Sequence, residues 1–537
     1  MNLEKSGKNL VILLTELAAI FLMIFGILPQ ELSLVVTGIL IFYFIFSSLE
    51  DSLWVFIASI PLFIALPITE SFDTMANWRI LLTVLFLVLF FRHGVSISLV
   101  KNTLGRWKLK KKLKHYQVEY LSGIFLLIGC LSLLVADNVW VGIKKLLFLI
   151  NILFLYIIIK NLAAKNKQVI FKIIGAIKVA IGITLGIGFL QLIMVFFINL
   201  HKFWHFWDRN VINIFYGQSL SNLLSYSNTW FSYYSYQLPT LRMFSVFPDS
   251  HSFAFFCILS LPFFLTMIFL RPKAAKEKAV VYYLFLIICL MAIIFSGSRG
   301  AWVSALGALL AFLFIIFLYW SPTVRSWFIP NLNLSKGQWK QIQLILGCLI
   351  IFFVLFPIAS SILFLPQYTQ LGQEAVSEVA LFERAKSIFD FIETSIKGRL
   401  EIWQRTIDSI IIRPLLGVGL GNYPLVLNEP ISASKRGSSA HSLYLDIAAE
   451  MGIFALIILL VIFWYLSKDV WRVFIQHKEL FFRVWSGFFL LALIWALGYS
   501  LFDVVLFNDK VLLFFITNVG LLYAVKSSNS FYKSSHL

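Results

Sequence analysis

Four side chains in this sequence are of the right types to do chemistry on a phosphate-bearing molecule. Arg242 lies in Leu241-Arg242-Met243-Phe244-Ser245-Val246-Phe247-Pro248-Asp249-Ser250-His251, and Arg299 in the tight turn Ser296-Gly297-Ser298-Arg299-Gly300. Arg399 lies in Gly398-Arg399-Leu400-Glu401-Ile402-Trp403, and His441 in Ala440-His441-Ser442-Leu443-Tyr444. A guanidinium is always charged and binds phosphate through two parallel bonds. A neutral imidazole can take a proton from an attacking hydroxyl. Brought together, three arginines and a histidine would suit a phosphate leaving group. Each also has a plainer reading, since an arginine near a helix end is commonly a snorkelling anchor.

Acids follow His441 at helical spacing. Ser442, Asp446 and Glu450 recur every four residues and share one helix face. Carboxylates at such depth are costly in lipid and should face a bundle interior, where they could orient His441 or gather protons. Glu16 and Asp503 pose the same question more weakly. Gly417-Val418-Gly419-Leu420-Gly421-Asn422 superficially resembles a nucleotide-binding loop. No strand precedes it and no helix follows, so its glycines are read as a turn returning the chain to the membrane.

The elements that must position these residues are membrane helices. The chain has 537 residues, 60% hydrophobic and only 13% charged; a soluble domain carries about 25% charged residues. Apolar runs of about 17–25 residues match the hydrocarbon thickness. They lie near 10–28, 32–49, 52–69, 78–92, 118–136, 139–159, 175–199, 251–270, 279–295, 301–320, 342–365, 443–466, 483–507 and 510–526. Backbone groups in lipid must be satisfied within the segment, so these runs predict an all-α polytopic membrane protein with about fourteen transmembrane helices. Lys5 and Lys8 precede the first run without a convincing cleavage site behind it, which predicts a retained first span. Cys130, Cys257, Cys289 and Cys348 fall inside apolar runs without metal-ligand spacing, so neither a disulfide framework nor a metal site is expected.

The net charge of +18 has an orienting rather than a nucleic-acid reading. Lysines and arginines crowd the short loops 92–117, 160–172, 271–278 and 467–481, while the opposite short loops offer only Arg299 and Lys510. By the positive-inside rule both termini are cytoplasmic. Arg299 departs from that rule in a loop too short to escape it, which makes it the most pointed of the arginines. The expected organisation is N-terminal transmembrane helices over 1–199, an extracytoplasmic loop over 200–250 and central transmembrane helices over 251–365. A large extracytoplasmic helical loop over 366–440 and C-terminal transmembrane helices over 441–537 complete it. The large loop reads as two amphipathic helices near 374–396 and 399–412, then a Pro-Gly turn region.

The order of these motifs resembles the O-antigen ligase and O-antigen polymerase superfamily. Arg-x-x-x-x-Phe-Pro-Asp is followed by Ser-x-Ser-Arg-Gly-Ala-Trp, then Gly-Arg-Leu-x-x-Trp with Pro-Leu-Leu-Gly-Val-Gly-x-Gly-Asn, then His-Ser-x-Tyr-Leu-x-x-x-x-Glu-x-Gly. The resemblance covers about 240 to 460; the first 230 residues match only as a generic run of spans. It implies a GT-C-like glycosyltransferase in the bacterial cytoplasmic (inner) membrane, acting on its outer face. Such proteins move a glycan from undecaprenyl diphosphate to an acceptor hydroxyl with inversion, using no metal, nucleotide or other cofactor. By the resemblance Arg242, Arg299 and Arg399 hold the diphosphate, His441 is the general base, and Glu450 matches the acid before the family glycine. The sequence departs from the pattern at Ser442, where the family often has Asn, and over Asp249-Ser250-His251, where it often has Pro-Asn. His251 near Arg242 is thus a second histidine that could be the base; His441 is favoured because it opens the matched span.

Three acceptors remain open: lipid A core for a ligase, another glycan for a polymerase, and a protein hydroxyl. The rival class is a transporter or flippase of lipid-linked glycan. Transporters often carry internal repeats and midplane sites; no repeat is seen here, and the ionisable candidates gather at one face. A scaffold would leave Arg299 and two structured outer loops without a purpose.

Overall fold

The computed structural model describes residues 3–68, 75–93, 116–218, 220–221, 229–234, 237–270, 276–320, 335–363, 366, 394–428 and 439–527. Among these, helices dominate. In chain order they are α1 (Leu3–Ile24), α2 (Leu32–Phe46), α3 (Leu49–Ala58), α4 (Asn77–His93), α5 (Gln117–Ser132), α6 (Val139–Lys165) and α7 (Lys167–Phe197). A short helix α8 (Leu200–Phe206) runs through a π-helical turn, Trp207–Ile212, into α9 (Asn213–Tyr216). The hairpin β1 (Phe231–Tyr234) and β2 (Gln237–Leu241) follows. Then come α10 (Ser250–Phe269), α11 (Lys276–Phe295), α12 (Arg299–Trp320), α13 (Lys336–Ile362), α14 (Thr394–Ile412), α15 (Leu443–Met451), α16 (Ile453–Gln476), α17 (Leu480–Tyr499) and α18 (Asp509–Ser527).

Ten described helices are long and apolar enough to cross a membrane, which makes this a multi-pass membrane protein. Two more apolar helices, Leu32–Phe46 and Val280–Phe295, are shorter. A described helix lies on each of the fourteen predicted runs, but three runs differ from a plain span. The run 52–69 breaks after Ala58, with Pro61 in a 3-10 turn, Ile60–Leu62. Residues 63–66 are then extended: Asn77 N–H donates to Ile64 O (2.9 Å), and Ala65 N–H to Ile214 O (3.0 Å). Such backbone survives because it is buried in protein, where polar groups can pair. The run 443–466 is cut at Gly452 into α15 and α16, so the spanning helix is Ile453–Gln476. The run 483–507 ends its helix at Tyr499. Of the two helices expected in the large loop, the second begins earlier, at Thr394; most of the first lies outside the described residues.

Helix starts follow local chemistry. Asn138, Asn166 and Asp249 each accept a backbone N–H of the first turn, from Val141, Gln168 and Ser252 respectively. The bundle is built around α10, α18 and α17, which are 89%, 83% and 67% buried; the other spans are 22–39% buried and turn Leu, Ile and Phe outward. The central three position the site. α10 packs on α11, α17 and α18, and α17 also packs on α12 and α16.

Basic residues gather at one end of this bundle. There Lys160 pairs with Glu119, Lys526 with Asp469 (2.6 Å) and Lys172 with Glu50 (2.9 Å). The candidate site lies at the other end.

Candidate active site at one end of the bundle

Arg242 follows β2 directly and is fixed by its backbone. Arg242 N–H donates to Trp230 O (2.9 Å) and Met243 N–H to Phe295 O (2.9 Å). The second bond joins the Arg242 segment to the turn that carries Arg299. In that turn Gly297 has φ +64, and its bare Cα faces the Arg242 stem; a Cβ there would lie 3.5 Å from Arg242 Cγ. Ser298 starts α12 by accepting the Ala301 N–H (3.3 Å), and its hydroxyl lies 2.5 Å from the Tyr499 hydroxyl.

The Phe-Pro-Asp segment after Arg242 is strapped on every side. Gln191 Oε1 accepts both the Phe244 and Ser245 N–H groups (3.0 Å each). Ser245 holds a left-handed φ of +53, and its hydroxyl donates to Thr184 O (2.8 Å). Val246 O accepts the Tyr216 hydroxyl (3.0 Å) and the buried Lys510 ammonium (3.1 Å). Lys510 also donates to Pro61 O (2.9 Å) and lies 4.1 Å from the Phe215 ring centroid. The second exception to the basic-loop asymmetry is thus an internal tie.

Around Arg242 a polar chain forms. Its Nε donates to Ser232 Oγ on β1 (2.8 Å), and Nη1 lies 3.5 Å from His251 Nε2. His251 Nδ1 is hydrogen-bonded in turn to the Asp503 carboxylate. Burial alone would raise the Asp503 carboxyl, but the His251 charge and hydrogen bond, with His441 beyond, hold it below the usual range. Asp249, the cap of α10, is pushed the other way by burial and by the Asp503 charge, against the pull of His251.

His441 belongs to the same cluster. Burial pushes its imidazole below the ordinary 6.5; Asp503 pulls it up, while Arg399 and His251 push it further down. These mutual influences bring His441, Arg399, His251 and Asp503 within electrostatic reach of one another. His441 has φ +47, a left-handed conformation. The residue before it is gripped from two sides: Ala440 O accepts the Trp403 indole N–H (2.9 Å), and Ala440 N–H donates to Asp446 Oδ1 (3.1 Å). Leu443 N–H donates to Ser500 O (2.9 Å), tying the His441 loop to the Asp503 loop.

The glycine segment after α14 is a backbone seam. Val418 N–H donates to Ala449 O, Gly419 N–H to Glu450 O (2.9 Å each) and Ile453 N–H to Pro414 O (2.8 Å). The seam therefore satisfies carbonyls left open where the helix breaks at Gly452. A Cβ at Gly417 would lie 2.2 Å from Ala449 O, and one at Gly452 2.1 Å from Leu415 O. Asn422 closes the seam on the α5–α6 turn, accepting the Asn138 N–H (2.8 Å).

Residues 284–460 match the model of the O-antigen ligase family. The resemblance read from the sequence is borne out over that stretch. No curated protein matches the chain. The O-antigen ligase stretch begins within α11 and ends within α16, so it contains Arg299, Arg399, His441, Asp446 and Glu450. Arg242, His251 and Asp503 lie outside it, yet the fold carries them to its edge.

The predicted residues divide into two groups. Arg242, His251, Arg399 and His441 converge, and Arg299 opens α12 beside the Arg242 segment. Glu450 points elsewhere: it is buried in an ion pair with Lys145 of α6 (2.6 Å). Asp446, on the same face, is turned to the Ala440 backbone. Sequence reasoning gave Asp503 little weight and gave Ser232, Trp403 and Lys145 no role. Trp403 stood within a quoted motif; the others carried no local signal.

Proposed function

We propose that this protein is a GT-C-like glycosyltransferase that moves a glycan from undecaprenyl diphosphate to an acceptor hydroxyl, with inversion and without a metal. The convergence of arginines with an imidazole kept neutral carries this reading. Arg242, Arg299 and Arg399 would hold the diphosphate, stabilising the charge that develops as it departs. His441 would take the acceptor proton as its oxygen bonds to the anomeric carbon and the bond from that carbon to the diphosphate breaks. The proton ends on the imidazole, the electron pair on the leaving lipid diphosphate. His251, bonded to Asp503, is better suited to steadying Arg242 than to serving as the base. The enzyme would lie in the bacterial inner membrane with fourteen spans, both termini cytoplasmic and the site on the outer face. A location at one end of the bundle favours an interfacial enzyme over a flippase, whose site would lie near the midplane.

The test is release of undecaprenyl diphosphate from a lipid-linked glycan by the purified protein in nanodiscs. Wild type, Arg399→Ala and His441→Ala are compared. Lipid A core, a second lipid-linked glycan and a Ser/Thr peptide are supplied in parallel as acceptors. Release that needs an acceptor and both residues is expected, and the acceptor that works separates ligase from polymerase from protein glycosylation. Movement of the lipid-linked glycan across the bilayer without release would replace this reading with the flippase.

A further inference from the structure

We infer that Trp403 and Asp446 are positioning residues that set the imidazole of His441, by holding the two backbone groups of Ala440 from opposite elements. The inference rests on the reading of His441 as the base.

His441 has one backbone feature that needs support. A left-handed φ is uncommon for a residue with a side chain and persists where its surroundings impose it. The peptide unit on each side of Ala440 is pinned here by a different side chain. Trp403 Nε1–H donates to Ala440 O (2.9 Å), which fixes the unit joining Ala440 to His441. Asp446 Oδ1 accepts the Ala440 N–H (3.1 Å), which fixes the unit before it. Ala440 is fully buried, so neither bond is replaced by water without loss. Leu443 N–H to Ser500 O anchors the far side of His441. Few directions are left to the imidazole.

The clamp has a second consequence. Arg399 and Trp403 are four residues apart on α14 and therefore share a face. The helix that presents Arg399 is thus the one that grips the residue before His441. The Trp403 bond thereby sets the gap between the proposed diphosphate holder and the proposed base. Asp446 takes its part as a buried carboxyl whose pKa burial and the Glu450 charge push up to about 7, against the pull of Lys145 and of the Ala440 N–H. It is an acceptor for a backbone N–H, which an amide oxygen can replace.

Trp403→Phe, Asp446→Ala and Asp446→Asn test this, with transfer kinetics and amide hydrogen exchange of the peptide covering 439–444. Trp403→Phe and Asp446→Ala should lose roughly 10–100-fold in kcat, the scale of a misplaced catalytic group, with little change in KM for the lipid-linked donor. Exchange over 439–444 should quicken in both. Asp446→Asn should keep near-wild-type kcat and an unchanged pH profile. Damage by Asp446→Asn equal to that of Asp446→Ala, with an altered pH profile, would make Asp446 a proton carrier and overturn the inference. Unchanged exchange in Trp403→Phe and Asp446→Ala would overturn it, as would faster exchange with unchanged kcat. Full activity of His441→Ala would instead remove the base reading itself, whatever the exchange data show.

Discussion

His441 sits between charges of opposite sign, and its proton affinity reports on both. Burial favours the neutral imidazole and Asp503 the protonated one, with Arg399 and His251 acting on the side of the neutral form. A base must be neutral to act, so activity should fall as pH drops through the imidazole pKa, below the ordinary 6.5. Asp503→Asn removes the charge that raises that pKa. The acid limb of the kcat/KM profile should therefore move to lower pH, while the maximal rate falls because His251 loses its partner. A limb that stays put or moves up would mean that another group titrates there. Arg299 was legible in the sequence because the short loops opposite the basic ones offer only it and Lys510, and Arg242, Arg399 and His441 were legible through the motifs they stand in. Their partners were not. Asp503 is 252 residues from His251 and Glu450 is 305 from Lys145, distances that only the packed bundle closes. Glu450 shows the limit of helical periodicity, which put it on the face of Asp446 without revealing that Lys145 faces it.

At the scale of elements, the break at Gly452 decides where the site can be. It ends α15 at the level of the glycine seam and lets α16 set off as a separate span. Gly452 has φ +85 and ψ 172, a conformation essentially reserved for glycine. A Cβ there would also collide with the Leu415 carbonyl. Gly452→Ala should destabilise the protein by about 2 kcal/mol or more, the conformational penalty of such a position. Thermal unfolding in detergent measures this, with Gly38→Ala, where a Cβ meets nothing within 4 Å, as the control. Equal melting of the two variants would show that the seam is dispensable. Helix positions were legible because apolar runs of spanning length have one solution in lipid. The breaks were not, because Pro61 and Gly452 lie in runs whose hydropathy continues past them. The β1–β2 hairpin escaped for a different reason: its strands, FSYY and QLPTL, are short, and the second carries Pro239, which argues against a strand.

Across the whole molecule, three central helices are the most deeply buried of the spans, and two clusters of ionisable residues lie at opposite ends of the bundle. One end holds the lysine–carboxylate pairs; the other brings together Arg242, Arg299, Arg399, His251, His441 and Asp503. Lys510 belongs to the second end and joins regions far apart in sequence: Pro61 after α3, Val246 before α10, and the rings of α9. Lys510→Met keeps the bulk and removes the donors. It should lower the unfolding temperature in detergent, because the Pro61 carbonyl loses its ammonium partner and Val246 keeps only the Tyr216 hydroxyl. An unchanged unfolding temperature would mean that the rings and packing alone hold the segment.

The Lys510 ammonium also bears on how the chain reaches the membrane. In the proposed orientation this charge must travel to the outer face against a potential that is negative inside. That transfer works against about 2.3 kcal/mol per 100 mV for each elementary charge. Its carbonyl and aromatic partners exist only once α3, α9 and α10 are in place. Asp503 and Asp509 cross with it and carry the opposite charge, so the voltage does not oppose the hairpin as a whole; Lys510 instead lacks its partners until the earlier helices have assembled, which couples completion of the topology to folding of the site end.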